Sequence, residues 1–264
     1  MKINKKHTPE DTQSETLLHK KLSFAATEAY KLLRTNLSFT LPESDKNCRV
    51  IGVISSIRGE GKSTTSINLS YALAETGKRV LLIDADLRLP SVAKRLDVRQ
   101  IPGLSDILVG SSNASEAIIH SPVLENWHVL SSGSIPPNPT EMLGSSHMAR
   151  LIEKISENYD FIILDLPPVN IVPDALIVSP FVDGMILVTR ENYLERRELN
   201  KCIRQLELSD VKVLGFVMNA TKEDKPAYRR YKHGKYYKYS NYRNYRYGGD
   251  YAYERSSHGD DENA

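Results

Sequence analysis

Sulfur chemistry is scarce in this chain of 264 residues: Cys48 and Cys202 are its two cysteines. Two thiols so far apart make neither a disulfide framework nor a metal-binding spacing, which points to a reducing compartment. Long apolar runs are missing too. None reaches the ~18 residues that a membrane-crossing helix needs. The first residues lack the apolar centre of a secretory signal, so the chain is expected to be cytoplasmic. Charge of one sign is not in excess: 35 Lys and Arg against 33 Asp and Glu give a net +2. What remains is a chain with 40% apolar residues, enough for a proper core and of a length that suits one α/β domain with a tail.

The organising stretch runs from Val50 to Asp86. The apolar run Val50-Ile51-Gly52-Val53-Ile54 stops at Ser55-Ser56 and enters the loop Ile57-Arg58-Gly59-Glu60-Gly61-Lys62-Ser63-Thr64. A helical pattern from Ser66 to Thr76 follows, with Gly77 placed as its C-cap. Strand, glycine-bearing loop and helix N-terminus are the order that phosphate binding requires. Gly59 and Gly61 let backbone N–H groups turn inward. Lys62 can reach the outer phosphates, and the Ser63 hydroxyl can ligate Mg²⁺. The usual phosphate-loop spacing has glycine where this chain has Ser56. The candidate nucleotide-binding residues are Ser56, Arg58, Gly59, Glu60, Gly61, Lys62, Ser63 and Thr64.

Two further apolar runs end in carboxylates. Arg79-Val80-Leu81-Leu82-Ile83-Asp84 continues to Asp86 and Arg88, and Phe161-Ile162-Ile163-Leu164-Asp165 is closed by Pro167-Pro168. Apolar on both faces, they read as buried parallel strands. They deliver Asp84, Asp86 and Asp165 to the carboxyl end of the sheet, where open α/β folds place their ligands. With the loop, they predict a site for a nucleotide and Mg²⁺. Gly103 to Leu108 predicts a helix start, and Trp127 to Leu130 a short strand. Gly133 to Glu141 predicts an extended proline-bearing loop in which Thr140 caps the next helix. Asp174 begins another helix. Met185–Val188 and Val211–Val217 bring the count to at least five buried strands alternating with helices. A helix from Leu194 presents Arg196, Arg197, Lys201 and Arg204 as a solvated face.

Both ends differ from this middle. Residues 1–22 are polar and lysine-bearing, a loose arm by composition. From Ser23 the pattern is helical, with Phe24, Leu32, Leu33 and Leu37 as its apolar positions, and Glu28, Lys31 and Arg34 fall on one face. That triplet reads first as solvated charge with one weak ion pair. From Lys222 to the end there are ten tyrosines among ten Lys/Arg and seven Asp/Glu. They are Tyr228, Tyr231, Tyr236, Tyr237, Tyr239, Tyr242, Tyr245, Tyr247, Tyr251 and Tyr253. Such a segment cannot build a core and is expected to be disordered. Interleaved aromatics and cations suit nucleic-acid stacking or phosphate acceptance, and composition alone does not choose.

The set "SSIRGEGKST", "VLLIDADLR", "GSIPPNPTEML" and "FIILDLPPV", with the terminal tyrosine cluster, resembles the bacterial tyrosine kinases. More narrowly, it is similar to the separate cytoplasmic kinases of Gram-positive capsule and exopolysaccharide operons. The resemblance spans about Ser23 to Ala220 plus the tail. It implies a P-loop NTPase-like, mostly parallel sheet flanked by helices (residues 23–221) and a disordered tail (residues 222–264). It implies ATP and Mg²⁺ as cofactors: Lys62 on the β/γ-phosphates, Ser63, Asp84 and Asp165 at the metal, Asp84 or Asp86 orienting the tyrosine, and Asn219 near the adenine. Arg88 would help place an anionic partner. "EAYKLLRTNL" resembles the family's oligomerisation helix (residues 23–40), with Lys31 in place of an arginine. The implied partners are a membrane-embedded adaptor from the same operon, which recruits the kinase to the inner face of the membrane, further copies in a ring, a tyrosine phosphatase and exogenous protein substrates. No nucleic acid is expected. The core is also related to partitioning and cell-division ATPases, whose signature lysine is replaced here by Ile57. The alternative readings are accordingly a switch ATPase without kinase activity, or a nucleotide-gated scaffold with a polyanion-binding tail.

Overall fold

The computed structural model describes residues 22–41 and 47–221; the polar arm up to Lys21 and the tyrosine-rich segment from Lys222 lie outside the described residues. Ser23 caps the first helix through its hydroxyl, which accepts from Ala26 N at 3.3 Å, and α1 runs Phe24–Thr40. Of its four apolar positions only Leu37 is buried; Phe24 is 77% and Leu32 56% exposed. The helix therefore lies on the body along a narrow line rather than a broad apolar face.

Strand β1 (Arg49–Ser55) leads through the glycine loop into α2 (Lys62–Ala74). That helix begins four residues before the sequence pattern suggested, because the left-handed Gly61 starts it directly at Lys62. Gly77 takes φ +82° and donates to Ala74 O at 2.9 Å, closing the helix as expected. Next come β2 (Val80–Asp84), the short helices α3 (Val92–Leu96), α4 (Leu104–Leu108) and α5 (Ala114–Ala117), then β3 (Ile119–His120) and β4 (Trp127–Leu130). They are followed by α6 (Pro139–Leu143), α7 (Ser146–Ser156), β5 (Phe161–Asp165), α8 (Asp174–Val178), a 3₁₀ turn (Ser179–Phe181), β6 (Gly184–Arg190), α9 (Arg196–Leu208) and β7 (Val213–Asn219). Thr140 does not cap α6: Asn138 holds that position with Pro139 at the start of the helix, where its missing N–H costs nothing.

The seven strands form one sheet in the order β3-β4-β2-β5-β1-β6-β7, parallel except for the pair β3–β4. Two apolar clusters cover its faces. One gathers Leu81, Ile83, Ile162 and Leu164 beneath Leu151, Ile152 and Ile155 of α7. The other gathers Ile51, Val53, Leu82 and Ile163 beneath Ile67, Leu69 and Leu73 of α2, with Leu37 of α1. Alternate residues of each central strand thus feed opposite clusters, so both faces are apolar, as a parallel sheet covered on both sides requires. The carboxylates of β2 and β5, Asp84 and Asp165, stand at the carboxyl ends of their strands.

Candidate nucleotide site

The loop after β1 owes its shape to two glycines. Gly59 and Gly61 adopt φ +83° and +96°, a region that side chains with a Cβ rarely tolerate. At Gly61 the constraint is also steric: a Cβ there would stand 1.7 Å from Asn219 Nδ2. That amide instead donates to Glu60 O at 3.0 Å. The register pair Arg190↔Asn219 brings Asn219, from the end of β7, to the loop. Inside the loop, Ser55 Oγ donates to Ile57 O at 2.9 Å, and Ile57 N donates to Glu60 Oε2 at 2.8 Å. Glu60 is buried, which pushes its carboxyl up from the usual carboxylate range. Ser56 is buried under the loop, Arg58 is exposed, and Thr64 Oγ1 accepts from the Arg95 guanidinium at 3.1 Å.

The carboxylates converge by register. Asp84 of β2 sits directly opposite Asp165 of β5, and Asp165 opposite Val53 of β1. Lys62 is the buried cation among them. Its Nζ lies 2.9 Å from Asp165 Oδ1, 3.8 Å from Asp86 Oδ2 and 3.4 Å from Ser63 Oγ. Ser66, one helical turn on and not singled out from the sequence, donates to the same Asp165 oxygen at 2.9 Å. The i, i+4 spacing from Lys62 on a helix that opens at the loop could have identified it. Asp84 is completely buried. Its Oδ2 accepts from Ser91 N and Val92 N at 3.0 Å, where α3 begins, and its Oδ1 accepts from Asp86 N at 3.3 Å. Burial, and then the neighbouring Asp165, push its carboxyl up to about 7. Asp86 is the carboxylate of the three that meets solvent, 7% exposed, and burial raises its pKa too.

This donor set fits a phosphate-bound Mg²⁺ and not a cation held by protein alone. Among the described residues no three His, Cys, Asp or Glu side chains are arranged to hold a metal. Mg²⁺ commonly takes one or two carboxylates and completes its shell with phosphate oxygens and water. Asp165 Oδ2 is buried without a hydrogen-bond partner, a free acceptor that such a shell would use.

Other expected residues stand apart from this cluster. Arg88 grips Asp174 with two bonds, Nε to Oδ2 at 2.8 Å and a terminal nitrogen to Oδ1 at 3.1 Å, and also donates to Thr140 Oγ1 at 2.8 Å. Thr140 in turn donates to Asp174 Oδ1 at 2.6 Å. Arg88 thereby ties the segment after β2 to α6 and α8. On α1, Lys31 pairs with Glu28 at 2.8 Å on the surface, and Arg34 donates to Ala72 O of α2 at 2.7 Å. The ten tail tyrosines lie outside the described residues.

A glycine loop between a central parallel strand and a helix, with a buried lysine facing strand-end aspartates, defines a P-loop nucleotide-binding protein. Comparison narrows the class. The AAA domain model matches residues 48–215. Tyrosine-protein kinase CpsD of Streptococcus agalactiae is 36% identical over 205 residues, 77% of this chain and 87% of that protein. Tyrosine-protein kinase YwqD of Bacillus subtilis (strain 168) is 38% identical over 198 residues, 75% of this chain and 82% of that protein. Among solved structures, the chimerical protein CapA2B2 superposes with a TM-score of 0.73 at 32% identity, covering 81% of this chain and 99% of its own. The septum site-determining protein MinD of Pyrococcus horikoshii, solved with Mg-ADP, shares the fold at a TM-score of 0.54 and 28% identity, covering 65% of this chain and 70% of its own. The chain belongs to the family of bacterial tyrosine-protein kinases.

Proposed function

We propose that this chain transfers the γ-phosphoryl group of ATP to tyrosine hydroxyls, and that its own C-terminal tyrosines are the main acceptors. The observation that carries this reading is Lys62, held among Asp165, Asp86 and Ser63 at the foot of the phosphate loop. Such a lysine meets the negative charge that develops on the β- and γ-phosphates in the transition state. Ser63, Asp84 and Asp165 would hold Mg²⁺ directly or through water. When bound, that ion neutralises phosphate charge and orients the γ-phosphoryl group. Asp86, which alone of the three carboxylates reaches solvent, orients the incoming tyrosine and takes its proton. Asn219, bound to the loop backbone, lines the adenine side.

The same reading extends to assembly and control. Copies associate through α1 in a ring, and a membrane-embedded adaptor of the same operon activates the kinase and recruits it to the inner face of the membrane. No described helix is long and apolar enough to cross a membrane, so membrane recruitment through an adaptor is compatible with this body. Tail tyrosines are modified in trans. About two phosphates, at about −1.5 to −2 charge each, cancel the tail's excess of ten basic over seven acidic residues. The acidic tail then leaves an acidic site and loosens the ring until a phosphatase resets it. The cycle regulates capsular or exopolysaccharide synthesis and export. The test mixes full-length Lys62→Met protein with an active full chain whose ten tail tyrosines are phenylalanine. Phosphotyrosine on the tail of the Lys62→Met partner supports transfer between subunits; its absence, while wild-type protein labels its own tail at a rate independent of concentration, places the reaction in cis.

A further inference from the structure

Four tyrosines belong to the described body, and three of them are poor acceptors. Tyr30 bonds Asn68 and Thr65 and is held up in pKa by burial. Tyr71 packs edge-on to Trp127 with ring centroids 5.3 Å apart. Tyr159 is 6% exposed, with its hydroxyl 2.7 Å from His128 Nδ1. Tyr193 alone among the described tyrosines is exposed, at 48%. It follows the end of β6 in a turn where Asn192 takes φ +54° and Tyr193 N donates to Arg190 O at 3.3 Å.

That tyrosine leans on the phosphate loop. A Cβ built on Gly59 would fall 2.6 Å from Tyr193 Oη, so the hydroxyl touches the loop backbone at its left-handed glycine. The Arg190 guanidinium lies 5.0 Å from the Tyr193 ring centroid and donates to Gly59 O at 3.3 Å. Arg58, the residue before Gly59, is exposed. An accessible phenol thus stands beside Arg190 and against the backbone of the glycine loop.

The geometry points to Tyr193 as a further phosphoryl acceptor, whose modification weakens nucleotide binding at the loop it touches; this rests on the tyrosine-kinase reading above. The donor is ATP bound to a second copy of the chain. The bond from the γ-phosphorus to the bridging oxygen breaks and its electron pair leaves with ADP. A new bond forms from Tyr193 Oη to phosphorus, and the phenolic proton passes to Asp86 of the donor copy and on to solvent. The product carries about −1.5 to −2 charge. It draws the Arg190 guanidinium towards itself, breaking the Arg190 bond to Gly59 O and replacing local positive charge with negative. Both changes disfavour an incoming polyphosphate.

The experiment uses the full-length protein, purified from cells expressing its own operon, incubated with Mg-ATP, and mapped by peptide mass spectrometry. Phosphate is expected at Tyr193 as well as on the tail, with Tyr30, Tyr71 and Tyr159 unmodified. Mg-ADP affinity is then measured on wild type and Tyr193→Phe, each before and after removal of phosphotyrosine by a phosphatase. Phosphorylated wild type should bind about tenfold more weakly than dephosphorylated wild type, and Tyr193→Phe should show no such difference. A labelled tail with Tyr193 unmodified overturns the inference and leaves the kinase reading standing. An equal affinity change in Tyr193→Phe overturns the effect on the loop. No phosphotyrosine anywhere overturns both the inference and the kinase reading.

Discussion

Lys62, Asp84, Asp86 and Asp165 share a buried pocket at the carboxyl edge of the sheet, whereas Glu28, Lys31 and Arg34 lie along α1 at the surface. The first group has little water to screen it, and Asp84 is driven up to about 7 by burial and by Asp165. In the second group, Glu28 and Lys31 keep side-chain exposures of 47% and 43%. Their close contact is worth only about 0.2–0.5 kcal/mol. Similar charges therefore do different work according to burial. The buried set is held where a nucleotide's phosphates would meet it, whereas Glu28 and Lys31 face outward and half-buried Arg34 holds Ala72 O of α2.

Removing the buried cation should produce the largest effect. Lys62→Met is expected to cut phosphotyrosine formation by about a hundredfold or more, measured as initial rate under saturating Mg-ATP. Near-wild-type rates would erase the distinction between the two charge groups. Next comes Arg88→Ala, which strands the fully buried Asp174 with Thr140 as its hydrogen-bonding partner. Because the Arg88 side chain is 35% exposed, a loss of about 1–3 kcal/mol in urea unfolding is expected, and a change below about 1 kcal/mol would show that the Arg88–Asp174 pair contributes no more than a surface pair.

The expected pH effect is smaller. Asp84 rises from 3.8 in the unfolded chain to about 7 in the fold. Its contribution to stability is therefore complete below about pH 4 and is lost as pH rises through 7. Asp86 and Glu60, also raised by burial, act in the same direction. In EDTA the protein should melt at lower temperature at pH 8 than at pH 6, and Asp84→Asn should flatten that slope; an unchanged slope would mean that Asp84 ionises without cost. Smallest of all, replacing Glu28, Lys31 and Arg34 together by alanine should cost about 1 kcal/mol, chiefly the Arg34 bond to Ala72 O, since alanine itself favours helix. It should also lower the mass seen by light scattering across a concentration series. Equal masses would leave α1 with no role in assembly.

The strands and the loop were legible in the sequence because they obey local rules. Continuous apolar runs end in Asp84 and Asp165, and Gly59 and Gly61 sit where the backbone must turn. Contacts set by the packing of distant segments were not. Arg88 looked like a free cation near the site, but its partner Asp174 is 86 residues away and reaches it only once α8 is in place. Thr140 looked like a cap because its bond to Asp174 is invisible from spacing. Phe24 and Leu32 carried the helical period of α1 but remain exposed, since periodicity says which residues share a face and not how much of that face is covered. Ser66 carries one sequence signal, its i, i+4 spacing from Lys62, but its acceptor Asp165 is 99 residues away and shows only in the fold.

The most direct test of the central claim follows the label from γ-³²P ATP supplied to the full-length wild-type protein, with free phosphate and protein-bound phosphoamino acids measured side by side. The account predicts label on tyrosine, lost in both Lys62→Met and Asp165→Ala. Label released only as free phosphate, with none on tyrosine, would contradict it and make the chain a switch ATPase.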